Sequence, residues 1–182
     1  MSNHILGRPC LIVLVGPPGS GKSEWARRNG AGTVIVSQDD LIDAITPDGF
    51  DYAFRPVYTA AENAVGRAGV AAGFTVIVDR TNRTRALRER WIRIAREAGC
   101  PAVAVEMTAG AELCRARNRA RSGPRRVSDE RMDRMLAVME PVSGDEGFAA
   151  VFRDDEASLQ GILECLRGGA GKGGHEYSYQ TR

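Results

Sequence analysis

The feature that most constrains the chain is the octapeptide Gly16-Pro17-Pro18-Gly19-Ser20-Gly21-Lys22-Ser23, which follows the apolar, β-branched run Leu11-Ile12-Val13-Leu14-Val15. It fits the pattern G-x-x-x-x-G-K-[ST] of a P-loop, set between a strand and a helix. In such a turn the glycines let successive backbone N–H groups face a phosphate, and the helix that follows points the positive end of its dipole at the same anion. Lys22 is then placed to reach the β- and γ-phosphates of ATP, and the Ser23 hydroxyl to bind Mg²⁺. A glycine-rich βα turn without a ligand is the alternative, but it leaves the full pattern and its setting unexplained.

The first strand, buried on both faces, sets the expectation for the rest. Short apolar runs recur at 33–36, 74–78, 102–107 and 149–152. Helical patterns fill the gaps at 22–29, 56–72, 84–98, 111–121, 129–139 and 155–167. Gly30, Gly73, Gly99 and Gly168 each follow a helical pattern, where a left-handed C-terminal glycine is common. With right-handed crossovers this is an α/β fold: a central parallel five-stranded sheet with helices on both faces. One domain is expected over 1–167 and a flexible glycine-rich tail over 168–182.

Composition excludes several classes. The 182 residues are 43% hydrophobic and 26% charged, as in an ordinary globular domain. No apolar run has the length of a membrane span, and the first residues lack the layout of a secretory signal, so a cytoplasmic location without membrane association is expected. Cys10, Cys100, Cys114 and Cys165 are scattered without paired spacing, against a zinc cage or disulfide framework. The net charge of +2 implies no nucleic-acid partner by itself. Lysine occurs only at Lys22 and Lys172, and histidine only at His4 and His175. A general base in the body of the chain is therefore expected to be a carboxylate, and triad-type hydrolases are excluded.

Ligands of open α/β sheets collect beyond the carboxyl ends of the strands. There the sequence places Ser37-Gln38-Asp39-Asp40 and Asp79-Arg80-Thr81-Asn82. Asp39 is a candidate to accept the proton of an attacking hydroxyl; the alternative is helix capping by Ser37, Asp39 or Asp40. Asp79 has the position of a Walker B acid, which would hold Mg²⁺ directly or through water, or else caps a helix. Thr81 and Asn82 either cap the helix bearing Leu87, Trp91 and Ile94 or position the acceptor.

From Arg115 to Arg134 the chain is rich in arginine, with Arg117 and Arg121 four apart on one helical face and Ser122-Gly123-Pro124 breaking the helix. This suits an arginine-rich lid that closes over a nucleotide; a solvated basic face is the alternative. The series Arg83, Arg85, Arg88, Arg90, Arg93 and Arg96 wraps around its helix and is expected largely at the surface. Phe50, Tyr52 and Phe54 form an aromatic cluster near Asp39, placed either for base stacking or, the favoured reading, for core packing.

The segments GPPGSGKS, VSQDD, VIVDRTNRTRALRERW and LCRARNRARSGPRRV resemble, in order and spacing, the kinase module of the 5′-hydroxyl polynucleotide kinases of phage-type and bacterial RNA-repair systems. The resemblance spans most of the chain. It implies a P-loop kinase fold that uses ATP and Mg²⁺, with Asp39 as general base, Lys22 and Ser23 on phosphates and metal, and Arg117 and Arg121 as lid arginines. Asp79, Thr81 and Asn82 match the family's segment after the third strand. The family's arginine three positions after the catalytic aspartate is Ile42 here. Either another arginine such as Arg55 takes its place, or the acceptor lacks the phosphate it would contact. The expected activity is phosphorylation of the 5′-hydroxyl of RNA or DNA. The alternatives are a small-molecule kinase acting on a nucleoside, sugar or antibiotic hydroxyl, and a non-catalytic ATP-binding module. No attached phosphatase or ligase module is expected, so any repair pathway would need separate partner enzymes. Oligomeric state is not readable from the sequence.

Overall fold

The computed structural model describes residues 9–168. Of the tail expected over 168–182, Gly168 is the last residue of a helix and the rest lies outside the described residues, as do His4 and His175. The chain alternates strands and helices: β1 (Leu11–Val15), α1 (Lys22–Asn29), β2 (Val34–Ser37), α2 (Gln38–Ile45), α3 (Arg55–Ala71), β3 (Val76–Asp79), α4 (Arg85–Glu97), β4 (Ala102–Glu106), α5 (Ala111–Arg119), α6 (Asp129–Ala137), β5 (Ala150–Arg153) and α7 (Leu159–Gly168). The five strands form one parallel sheet in the order β2-β3-β1-β4-β5, as the alternation predicts.

β1 is the central strand, pairing Leu11 with both Val76 and Ala102. Its five residues are all buried, and because side chains alternate along a strand they feed two cores. Leu11, Val13 and Val15 join Val76, Val78, Val70, Trp91, Ile94 and Ala95 beneath α3 and α4. Ile12 and Leu14 join Ile77, Val103, Trp25 and Ile162 beneath α1 and α7. Helices therefore cover both faces, which removes the apolar run of β1 from water on each side. α3 and α4 approach closely at Gly66, where a Cβ would sit 2.9 Å from Trp91 Cζ3.

Two local readings change. The segment after β2 is a helix, α2, whose N-cap is Ser37; its hydroxyl accepts from Asp40 N at 3.3 Å. α4 is capped by Thr84, whose hydroxyl accepts from Leu87 N, and not by Thr81 or Asn82. Gly73 and Gly99 take the left-handed conformation (φ 85° and 67°), whereas Gly30 stays right-handed at φ −85°.

Candidate phosphate and acceptor site

The P-loop leaves the sheet at the carboxyl end of β1 and is tied to the β3–α4 loop by Gly16 N donating to Thr81 O at 3.1 Å. Packing requires its glycines. A Cβ on Gly16 would lie 2.8 Å from Met107 Cβ, and one on Gly19 (φ 81°) would lie 2.5 Å from the Cys114 carbonyl of α5. The N-cap of α1 is Gly21, which has no side chain to satisfy the first-turn N–H groups and so leaves them to a ligand. Lys22 is only 8% exposed. Its Nζ donates to Gly16 O at 2.9 Å and Pro17 O at 2.8 Å, with Ser20 Oγ at 3.4 Å. Burial pushes the Lys22 ammonium down to about 8; the Asp79 charge opposes that shift and the Arg121 charge adds to it.

The two acidic segments meet beside this loop. β2 and β3 pair in a register that sets Ser37 against Asp79, so Asp39 and Asp79 lie beyond neighbouring strand ends. With Ser37 as cap, Asp39 stays free and exposed in the first turn of α2. Asp79 does not cap α4. Burial raises its carboxyl above the usual range, while a hydrogen bond from Ser23 and the Lys22 charge pull it back down. Ser23 and Asp79 are thus adjacent oxygen donors at the mouth of the loop. Among the described residues no group of three His, Cys, Asp or Glu side chains is arranged to hold a metal by itself. A hard cation such as Mg²⁺, which binds through one or two carboxylates plus phosphate oxygens, fits Ser23 and Asp79 when a nucleotide supplies the rest.

Several arginines after β4 are paired with acids. Arg115 pairs with Glu112 and Asp133, Arg119 with Asp129, and Arg125 with Asp40 and Asp43 of α2 at 3.0 Å each. Arg117 and Arg121 have no carboxylate partner among the described residues, and Arg117 turns toward the P-loop. Arg117 Nη1 is 3.4 Å from Gly19 O, and Arg121 is near enough for its charge to act on Lys22. Asn118, fully buried, holds the turn after α5 by bonding Val127 through both amide atoms (2.7 and 3.1 Å).

The loop after β3 serves the site from behind. Asn82 is fully buried with φ 44°, and its Nδ2 donates to Leu14 O at 2.8 Å, fixing the end of β1. Thr81 contributes its carbonyl to Gly16. Arg88, expected near the surface, is fully buried instead. It donates to both oxygens of Glu146 (2.7 and 2.5 Å) and to the carbonyls of Asn82, Glu140 and Pro141. Arg55 lies apart from the phosphate cradle, at the start of α3, bonded to Tyr52 Oη at 3.1 Å. The aromatic cluster is not core: Phe50, Tyr52 and Phe54 are 47%, 71% and 43% exposed. Sequence patterning gave no sign of Arg88 or Arg125, because both find their partners far along the chain.

A parallel sheet of this order, with a P-loop after β1, paired acids beyond β2 and β3 and arginines after β4, is the architecture of the P-loop kinase fold. Residues 11–142 match the model of the AAA domain family AAA_33, and the chain belongs to that family. Among solved structures it is similar to a putative kinase from Chloroflexus aurantiacus J-10-fl (TM-score 0.67, 14% identity, 91% of this chain and 97% of that one). It is similar also to a gluconokinase from Sinorhizobium meliloti 1021 (TM-score 0.60, 18% identity, 91% and 99%). A chain of the Pnkp1/Rnl/Hen1 complex matches at TM-score 0.56 and 24% identity over 72% of this chain and 46% of that one. Among the described residues no helix is long and apolar enough to cross a membrane.

Proposed function

We propose that the chain transfers the γ-phosphate of ATP to an acceptor hydroxyl, and that the acceptor is the 5′-hydroxyl end of RNA or DNA. The observation that carries phosphotransfer is the convergence of Lys22, Ser23, Asp79 and Asp39 on the P-loop, with Arg117 and Arg121 nearby and without an acidic partner among the described residues. Phosphates entering the loop take the N–H groups of α1 and draw Lys22 away from the carbonyls it now holds. Asp39 accepts the hydroxyl proton as the acceptor oxygen bonds to the γ-phosphorus and the bond to the ADP oxygen breaks. Lys22, Arg117 and Arg121 neutralise the charge that spreads over the transferring group. Ser23 and Asp79 would hold Mg²⁺ together with the phosphates, and the ion would supply further neutralisation of phosphate charge.

The polynucleotide acceptor rests on the resemblance of the motif segments, on the likeness to a chain of the Pnkp1/Rnl/Hen1 complex, and on the exposure of Phe50, Tyr52 and Phe54, on which unpaired bases could stack. Ile42, 9% exposed where the family carries arginine, favours a second reading, a small hydroxylated acceptor as in the gluconokinase it is similar to. Transfer of labelled γ-phosphate to short 5′-hydroxyl RNA and DNA strands, with nucleosides and sugars in parallel, separates the two. Asp39→Asn is expected to lower transfer by ~10²–10⁴-fold and keep ATP affinity. A mutant that transfers at the native rate removes Asp39 as base; one that keeps ATP turnover without any acceptor dependence points to a nucleotide-binding module that hydrolyses ATP slowly without a dedicated acceptor.

A further inference from the structure

The chain between α5 and α6 touches both halves of the site. At one end Arg117 Nη1 lies 3.4 Å from Gly19 O of the P-loop. At the other, in the short turn Gly123–Arg125, a single Arg125 nitrogen, Nη2, bonds Asp40 Oδ1 and Asp43 Oδ2 of α2 at 3.0 Å each. α2 carries Asp39, Asp40 and Asp43 and no basic residue of its own. Asp40 and Asp43, three apart, share a helical face, where like charges repel. Arg125 supplies the missing cation: the bond to Asp43, with the charges of Asp40 and Asp39, raises its guanidinium pKa above the usual value.

The turn is anchored at its base and open at its tip. Buried Asn118 ties it down through the two bonds to Val127. At the tip Gly123 is exposed, with φ 68° and nothing within 4 Å of where a Cβ would be. Arg125 sets this tip against acids that lie 85 and 82 residues away in the chain. All three side chains of the bridge are exposed, so the contact is weak and screened by salt. A contact of that strength forms and breaks on the time scale of turnover.

We propose that Arg125 is a positioning residue: by bridging Asp40 and Asp43 it straps the 118–127 turn to α2, holding Arg117 and Asp39 together across the reacting site and keeping water out while the phosphate moves. The task differs from that of Arg117 and Arg121, because Arg125 meets protein carboxylates and not phosphate. The inference rests on the proposed phosphotransfer for its part in turnover, but the strap itself is measured without any substrate.

The strap is read on the full chain by the rate at which trypsin cleaves after Arg121 and Arg126, and its role by initial rates of γ-phosphate transfer and of phosphate release to water. The variants are Asp43→Asn, Arg125→Gln, the two combined, the reversal Arg125→Glu, and that reversal combined with Asp43→Arg. All change exposed side chains, and an unchanged thermal midpoint checks that the fold is kept. Asp43→Asn and Arg125→Gln are each expected to speed cleavage and lower kcat by about twofold to fivefold, and their combination to go no further than Arg125→Gln alone. Arg125→Glu is expected to exceed about tenfold, with Asp43→Arg restoring most of the loss. ATP affinity is expected to stay within about twofold while a larger share of ATP is lost to water, which a change that only loosened the fold would not produce. Cleavage indifferent to Arg125→Glu, or additive losses in the combined variant, overturns the strap. Faster cleavage at native transfer rates overturns the positioning role. Strap opening in a chain that labels no acceptor leaves the strap standing and removes the phosphotransfer reading, and with it the part of Arg125 in turnover.

Discussion

Lys22 holds its proton loosely because it is buried against carbonyls rather than phosphates, with its pKa brought down to about 8 from an ordinary 10.5. The folded value lies below the unfolded one, so between them the unfolded chain binds the extra proton and stability rises with pH. Below 8 the folded state bears the full cost of the buried charge. Phosphates entering the loop reverse the shift, so ATP binding near pH 8 is expected to take up part of a proton, with the uptake fading toward pH 6. Calorimetry in buffers of different ionisation enthalpy measures it directly; proton release, or no dependence on buffer, counts against Lys22 as the phosphate ligand. Arg117 and Arg121 give a second contrast at this scale. Arg117→Ala and Arg121→Ala are each expected to lower kcat by ~10³-fold. Arg119→Ala, which removes only an exposed pair with Asp129, is expected to leave kcat within about twofold.

At the scale of the element, the P-loop is shaped as much by α5 as by its own sequence. Gly19 combines φ 81° with the Cys114 carbonyl 2.5 Å from where a Cβ would be. Gly19→Ala must therefore carry a left-handed residue, at about 1–2 kcal/mol, and also push the loop off α5. A lower thermal midpoint together with at least tenfold weaker ATP binding is expected, read by thermal unfolding and titration of the same protein. The strand–turn–helix setting of this loop was legible in the sequence because G-x-x-x-x-G-K-S and the apolar run before it are contiguous. α2 was less legible: Ser37 ends a strand and caps a helix at once, so the pattern there supports a catalytic acid or a cap. In the structure Ser37 is the cap and Asp39 stands exposed in the first turn.

Over the whole molecule, Arg88 and Glu146 join parts of the chain 58 residues apart, clamping the loop that carries Asn82 to the segment after α6. Both side chains are buried, at 0% and 1% exposure. Arg88→Met leaves Glu146 buried without its partner and is expected to destabilise the fold by ~3–5 kcal/mol in denaturant unfolding. Burial pushes the Glu146 carboxyl up, but the bonds from Arg88 and Ser143 N outweigh it and hold the group below its usual 4.5. A depressed folded value contributes stability that is present above pH 4.5 and lost as pH falls through the folded value. Acid unfolding of the native chain should therefore steepen below pH 4.5, and Arg88→Met should lack that component.

Contiguous patterns settled much of this protein in the sequence alone. Buried β-branched runs, helical periods between them and one octapeptide specify a parallel five-stranded sheet with a phosphate loop after its first strand, because each is read within a single element. Register, pairing and burial were decided only by the tertiary structure. They set Ser37 beside Asp79, left Arg117 and Arg121 without acidic partners among the described residues, buried Arg88 and exposed Phe50, Tyr52 and Phe54. The physical reason is that a charged or aromatic side chain takes its environment from neighbours distant in sequence, and local periodicity holds no information about which acid, carbonyl or solvent it will meet.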